Sequence, residues 1–126
     1  MRRLTTLLIA IISCTTLYAE QPYKAYCTIT TLHDAASRVE VDYGQEDLTK
    51  NYLVDEEGKA LKYHSTAIAA NTLSKLGWVY EDSYVVGEDN IRCVWVMSKL
   101  VTDDSQITEG FMTRKMYEDG DEHPLK

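Results

Sequence analysis

The histidines and the carboxylates are the side chains in this sequence that could support catalysis. His33 is followed directly by Asp34, and a carboxylate beside an imidazole can orient the ring for general-base catalysis. Adjacent side chains on an extended chain point apart, so His33 and Asp34 are poorly placed to act together in catalysis. We expect this pair to lie in a surface loop. None of His33, His64 and His123 has a second ligand at a familiar metal-binding spacing, and nucleophile, zinc-peptidase and phosphate-loop motifs are absent from the sequence. The sequence predicts a protein that is not an enzyme and uses no cofactor and no metal.

The carboxylates gather in two short stretches, residues 55–58 (DEEG) and residues 88–90 (EDN). A calcium site collects about six to eight oxygens, and neither stretch has the alternating Asp and Asn residues of a dedicated calcium loop. Acidic residues next to a glycine are typical of tight hairpin turns. We therefore expect two solvated hairpin tips.

The first 19 residues, MRRLTTLLIAIISCTTLYA, have the layout of a secretory signal, with two arginines, an apolar centre and small or polar residues up to Ala19. Cleavage after Ala19 would release an exported chain, periplasmic or extracellular, that begins at Glu20. The residues up to Cys14 also fit the pattern at which a bacterial lipoprotein is lipidated on cysteine. Lipidation of Cys14 would anchor the protein in the cell envelope, and only then do we expect contact with a membrane. Of the two, we expect cleavage after Ala19.

The charge of the chain argues against nucleic acid as a partner. The formal net charge is −7 at pH 7, and it becomes −9 when Arg2 and Arg3 leave with the signal. Nucleic-acid binding depends on clustered Lys and Arg residues that displace counterions. We expect a solvated acidic surface and a partner that is a protein or a glycan.

Cys27 and Cys93 each lie on the more apolar face of a predicted strand, and an exported protein matures where disulfides persist. If the two strands are neighbours, a disulfide would tie the first strand to the last and add about 4 kcal/mol by the loop-entropy relation. Otherwise the two thiols act as small apolar side chains. The sequence leaves both alternatives open.

Four aromatic residues at strand spacing could fill the core or line a face for a sugar or a peptide: Trp78, Tyr80, Tyr84 and Trp95. Aromatic residues in strands most often pack across the sheet. Gly77 and Trp78 form a structural junction in this interpretation, because glycine permits the turn from a helix into a strand and Trp78 anchors the strand. Tyr80 and Tyr84 alternate onto one face, and we expect them to contact a partner.

The remaining patterns predict the elements that position these residues. Alternation predicts strands at residues 23–32, 38–43, 78–86 and 91–97 and a hairpin within residues 52–63. Both faces of the strand at residues 91–97 are apolar, so we expect it to be central or covered by the C-terminal segment. Helical spacing predicts a helix over residues 66–76, capped by Ser65 or Thr66. Its apolar stripe consists of Ile68, Ala69, Leu73 and Leu76. A short helix near Asp103 or Asp104 would dock Ile107, Phe111 and Met112 onto the sheet.

The stretch STAIAANTLSKLGWVYEDSYVVGEDNIRCVWVMSK resembles a family of small uncharacterised bacterial domains, in which a helix ends at a Gly-Trp step before a β-hairpin. Together with YKAYCTITT, VEVDYGQ and DEEGKALKY, residues 22–115 are similar to small exported proteins of Gram-negative bacteria. The resemblance implies strands with one main helix packed across them. It implies no activity for any residue.

These observations predict a single α+β domain over residues 20–116, between the signal at residues 1–19 and a flexible tail at residues 117–126. We expect an antiparallel or mixed sheet of about five strands, one main helix on one face and a short C-terminal helix. The predicted function is that of a small exported, non-enzymatic binding or accessory domain. The alternative is an inhibitor or modulator of an envelope enzyme, which would act through an acidic protruding loop such as residues 55–58.

Overall fold

The computed structural model describes residues 21–33 and 35–121; the predicted signal, Cys14 and His123 lie outside the described residues. The strands are β1 (Tyr23–Leu32), β2 (Ser37–Arg38), β3 (Glu40–Asp42), β4 (Lys62–Tyr63), β5 (Val79–Val86) and β6 (Arg92–Val101). The helices are α1 (Thr66–Ser74) and α2 (Arg114–Asp119), with a 3-10 helix at Asp104–Gln106. The main sheet is antiparallel, in the order β3-β1-β6-β5, and β2 and β4 form a separate small sheet.

The architecture is α+β, as the sequence predicted, with one main helix and a short C-terminal helix. Several details differ from the predicted elements, among them β6, which extends to Val101 beyond the predicted end at residue 97. The strand expected at residues 38–43 is divided, because β2 pairs with β4 whereas β3 pairs with β1. On α1, Ile68 is exposed and Ala70 is buried, so the buried stripe is rotated from the predicted one.

The main sheet has one buried and one open face. On β1 the side chains of Ala25, Cys27 and Ile29 are buried, and most residues between them are exposed or half-buried. α1 packs against β1, and Leu73 of α1 joins these side chains in the core together with Phe111. We call this buried side the inner face and the opposite side the outer face.

β6 lies between β1 and β5 and is therefore central, as its two apolar faces predicted. β1 and β6 pair along their full length, from Tyr23 opposite Val101 to Leu32 opposite Arg92. Directly paired residues project from the same face of a sheet. The register therefore fixes which side chains share each face.

α1 passes into β5 through Gly77 and Trp78. At the start of the helix, the Ser65 side chain accepts a hydrogen bond from the backbone N–H of Ile68 at 3.3 Å. Beyond its end, Gly77 has φ +98°, a conformation that costs little only to glycine. Trp78 donates its backbone N–H to the carbonyl of Leu73 at 3.3 Å, and its side chain is 1% exposed. The junction is thus built into the core of the scaffold.

A bulge reverses the alternation of side chains along β5. The register shifts between Tyr80 and Asp82, so Glu81 is an extra residue relative to β6. An extra residue moves every later side chain to the other face. Tyr80, opposite Met97, lies on the inner face, whereas Tyr84 lies on the outer face. The expectation that the two tyrosines share a face is wrong for this reason.

The C-terminal helix begins later than predicted. The segment after Asp103 forms only a 3-10 helix, and Phe111 and Met112 reach the core from an extended stretch. Thr113 then caps α2 by accepting a hydrogen bond from the backbone N–H of Met116 at 3.2 Å. α2 continues to Asp119, past the predicted domain boundary at residue 116, and residues 122–126 of the predicted tail lie outside the described residues.

Candidate binding surface

β5 exposes every one of its residues to solvent although most of them are large and apolar. Its sequence is VYEDSYVV, and all eight positions are exposed. The exposed fractions are 48% for Tyr80, 52% for Tyr84 and 62% for Val85. Isolated apolar residues are common on protein surfaces, but contiguous apolar patches mark interaction sites. β5 is therefore the first candidate for a binding surface.

The outer edge of β5 carries backbone groups that can pair with another chain. β5 is the terminal strand of the main sheet, and its neighbour in the sheet is β6. Alternate N–H and C=O groups of a terminal strand point away from the sheet. Among the described residues, one side chain contacts this backbone, because the Asp82 carboxylate accepts the N–H of Ser83 at 2.8 Å.

A groove of about 460 Å³ lies between α1 and the inner face of β5 and β6. We call it the aromatic groove, and its lining includes Ala70, Asn71, Ser74, Trp78, Tyr80 and Trp95. The helix contributes small side chains, which leave room beside the strands. The groove and the edge of β5 share Tyr80, and together they form what we call the β5 surface.

Trp78 brings a hydrogen-bond donor to the groove. Its Nε1 is buried and has no acceptor within the part of the chain that the structure describes. The Nζ atom of Lys99 lies 5.9 Å from the centroid of the Trp78 ring. Leaving a buried donor unbonded costs about 1–3 kcal/mol. The unbonded indole N–H is therefore a cost that the described fold carries in the wall of the groove.

The extra residue of the bulge, Glu81, is held against the outer face. Its carboxylate accepts hydrogen bonds from Ser98 Oγ and from Lys24 Nζ, the latter at 3.0 Å. These bonds hold the pKa of Glu81 below its ordinary value, with the Ser98 bond as the larger cause. Because Ser98 lies on β6 and Lys24 on β1, the contact links three strands.

β5 and the turn that leads into β6 are acidic and contain no Lys or Arg. The sequence from Lys75 to Arg92 contains no Lys or Arg between those two residues. Its carboxylates are Glu81, Asp82, Glu88 and Asp89. Within residues 21–33 and 35–121, only Glu81 among these four forms an ion pair. The other three add unneutralised negative charge to the β5 surface.

Cys27 and Cys93 are both free thiols. Their strands are neighbours, as a disulfide would require, but Cys27 is opposite Met97 and Cys93 is opposite Thr31. Four residues of ladder separate them, or about 13 Å, whereas disulfide-bonded Cα atoms lie within about 7 Å. The disulfide alternative is wrong because of this register. Burial raises the pKa of the Cys27 thiol to about 12.

His33 contacts Cys93, and Asp34, the other member of the predicted pair, lies outside the described residues. The Nδ1 atom of His33 is 3.6 Å from Cys93 Sγ. A thiol and an imidazole can act as nucleophile and base, but neither residue lines the aromatic groove or the polar cleft described below. His64 is exposed beside the start of α1. No three His, Cys, Asp or Glu residues of the described chain approach one another as metal ligands would.

A polar cleft of about 420 Å³ lies where β1 ends, and its two arginines and Glu40 are already engaged. Arg92 Nη1 pairs with Glu40 Oε2 at 3.0 Å. The guanidinium carbon of Arg38 lies 4.3 Å from the centroid of the Tyr52 ring. Both arginines are therefore engaged in contacts within the protein.

The acidic stretch at residues 55–58 is a closed turn. The Asp55 carboxylate accepts the backbone N–H groups of Glu57 and Lys59 at 3.0 and 2.9 Å. Gly58 has φ +80° and is buried against the ring of Tyr117. The Asp55 carboxylate therefore stabilises the turn, whereas Glu56 and Glu57 remain exposed.

Sequence reasoning identified Tyr80 and Tyr84 but missed the helix side of the groove. Asn71 and Ser74 line a space that depends on how α1 packs against the sheet. A usable signal was present, since Ala70 and Ser74 are small residues four positions apart just before the Gly-Trp step.

Comparisons of the chain with protein-family models, with curated proteins and with solved structures give no match. The resemblance to small exported proteins stays a prediction. None of the described helices has the length and apolar character needed to cross a membrane.

Proposed function

We propose that this protein is a non-enzymatic, exported binding domain that presents the β5 surface to a protein partner. The observation that carries the proposal is the full exposure of β5, in which five of eight residues are Val or Tyr. Burial of apolar area contributes about 25 cal/mol per Å², so covering this strand would stabilise a complex. Tyrosine side chains commonly dominate such contacts.

A protein partner fits this surface better than a glycan. The edge of β5 offers a row of backbone groups with the spacing of a sheet ladder, which another polypeptide can match. Sugars stack on open aromatic faces, whereas the ring of Tyr80 packs against Trp95 in an edge-to-face contact. Glycan binding is the outcome that a test must separate.

The alternative, an inhibitor of an envelope enzyme acting through residues 55–58, has less support. An inhibitory loop must place its own groups in the enzyme. Here the Asp55 carboxylate is bonded within the turn, and Arg114 Nη1 donates to the Gly58 carbonyl at 2.9 Å. Only Glu56 and Glu57 would remain to contact an enzyme.

Affinity capture from the cell envelope tests the proposal. The bait is the protein expressed with its own leader, compared with a Tyr80→Ala, Tyr84→Ala double variant. We expect the variant to recover the partner about tenfold less well, because the aromatic contacts are removed. If the bait captures a glycan through β5 instead, glycosidase treatment should abolish the capture. That result would overturn the protein-partner assignment.

Tyr26→Ala is the matched control for this experiment. Tyr26 is 55% exposed but lies on β1, two strands from β5. We expect this control to capture the partner as well as the original protein does. Equal capture by the Tyr80→Ala, Tyr84→Ala variant and the original protein would contradict the proposal.

A further inference from the structure

We infer that the β5 surface binds a positively charged, extended polypeptide segment, which adds to β5 as a fifth strand of the main sheet. The inference rests on the proposed function and names the chemistry of the partner. Three features of the described residues support it: the open edge, the charge of the hairpin and the position of the aromatic groove.

The open edge sets the conformation of the partner. β5 is eight residues long and is hydrogen-bonded on one side only, by β6. An extended segment is the conformation whose backbone groups match those of a strand edge. The bulge at Glu81 bends the edge, so the straightest part available for pairing runs from Ser83 to Val86.

The charge of the hairpin sets the charge of the partner. Asp82 lies within β5, and Glu88 and Asp89 lie in the turn that follows it. None of the three has a cationic partner among the described residues. A segment that carries Lys or Arg would neutralise them, and an acidic segment would be repelled.

The same charges disfavour a second copy of this chain. Antiparallel pairing of the whole of β5 with β5 of another molecule would bring two Glu81-Asp82 pairs into the middle of one ladder. Like charges at facing positions of a ladder destabilise it, and acidic residues on an edge strand are a common protection against self-association. The acidic residues of β5 and the following turn thus favour a basic partner over a second copy of the chain.

The aromatic groove can take a side chain of the added strand. Successive side chains of a strand point to opposite faces, so every second one would lie on the inner face, beside Ser83 and the Tyr80 ring whose hydroxyl Ser83 contacts. The groove next to Tyr80 is walled by the small side chains of Ala70 and Ser74 and by the ring of Trp95. An apolar side chain fits this lining.

Selection from a random library of displayed ten-residue peptides tests the inference. The protein, expressed with its own leader, is immobilised, and the enriched peptides are sequenced. We expect Lys or Arg in alternation with β-branched or aromatic residues. The best peptide should bind about tenfold more weakly to an Asp82→Asn, Glu88→Gln, Asp89→Asn variant, and higher salt should weaken it as well.

Backbone methylation tests the strand geometry. Each amide of the best peptide is N-methylated in turn, which removes one donor. Strand addition predicts that methylation weakens binding at every second position and has little effect at the positions between. The matched charge control is Glu56→Gln, Glu57→Gln, which removes two exposed carboxylates from another turn and should leave binding unchanged.

The outcomes separate this inference from the proposed function. Enrichment of neutral or acidic peptides, absence of any enriched peptide, or uniform tolerance of methylation would overturn the inference. A dimer of the protein in sedimentation, broken by Val85→Lys, would overturn it in favour of a second copy. If the captured envelope partner is unaffected by the Tyr80→Ala, Tyr84→Ala variant, the proposed function itself is overturned.

Discussion

Tyr80 and Trp95 meet edge to face, with ring centroids 5.1 Å apart and ring planes at 69°. Tyr80 belongs to the terminal strand and Trp95 to the central one, so the contact holds the exposed strand against the sheet. The Tyr80 hydroxyl also shares a hydrogen bond of 2.8 Å with the hydroxyl of Ser83. Two contacts thus fix the Tyr80 ring before any partner arrives, which lowers the entropy that binding must overcome.

Replacing Gly77 should destabilise the fold through its backbone. Its φ of +98° is strained for any residue with a side chain, while a Cβ at this position would meet Lys99 Cε, the nearest atom beyond its chain neighbours, at an ordinary 3.4 Å. We therefore expect Gly77→Val to lower the free energy of unfolding by about 1–3 kcal/mol. Urea denaturation measures this, with Gly77→Asn as the control, because asparagine tolerates positive φ better and should cost less. Unchanged stability of Gly77→Val would show that the chain does not turn here.

The two thiols should differ sharply in reactivity. Cys27 is 3% exposed, and its pKa is raised to about 12 by burial, whereas Cys93 is half-buried. Because the thiolate is the reactive form, iodoacetamide at pH 8 should label Cys93 in the folded protein and Cys27 only after unfolding. Mass spectrometry of tryptic peptides reads this directly, and Cys93→Ser should abolish labelling of the folded protein. A peptide in which Cys27 and Cys93 are linked would contradict the register of β1 and β6.

Glu81 should make stability depend on pH. Its pKa is lowered in the folded protein, so its bonds to Ser98 and Lys24 stabilise the fold above the ordinary pKa of about 4.5. That stabilisation is lost as the pH falls through the lowered value. We expect the original protein to be more stable than Glu81→Gln at pH 7 and the difference to be smaller at pH 3, below the ordinary pKa. Urea denaturation at both pH values tests this, and a pH-independent difference would contradict it.

A matched control for Glu81 is Glu57→Gln. Glu57 is an exposed carboxylate in the turn at residues 55–58 and contacts neither a cation nor a hydroxyl among the described residues. The same chemical change there should have little effect at either pH.

Processing of the N-terminus separates the two predicted locations. We propose that the exported protein begins at Glu20, after cleavage behind Ala19. Its intact mass, measured on protein exported by its own host, should equal that of residues 20–126. A mass that includes acyl chains on Cys14 would place the protein on a membrane surface instead.

The strands of the sheet were predictable because alternation is a local signal. Residues 23–32 alternate so regularly that both bounds of β1 follow from the sequence. Ser65 and Gly77 likewise mark the start and the end of the helical region by chemistry that acts within one turn. These features need no knowledge of distant contacts.

The site was less predictable because it depends on register and on packing. Nothing in the composition of VYEDSYVV marks Glu81 as a bulge, and that one extra residue separates Tyr80 from Tyr84. The distance between Cys27 and Cys93 depends on the alignment of two strands that are far apart in sequence. The aromatic groove depends on where α1 packs against the sheet, and that position is determined by tertiary contacts.

Hydrogen exchange of the backbone amides in the complex tests the central claim most directly. The protein is compared free and with the partner recovered by capture, and exchange is followed residue by residue. We predict that the partner slows exchange across Val79–Val86 by about tenfold or more and leaves residues 46–49, beyond the opposite edge of the sheet, unchanged. Unchanged exchange in Val79–Val86, with protection appearing elsewhere in the domain, would contradict the assignment of β5 as the binding surface.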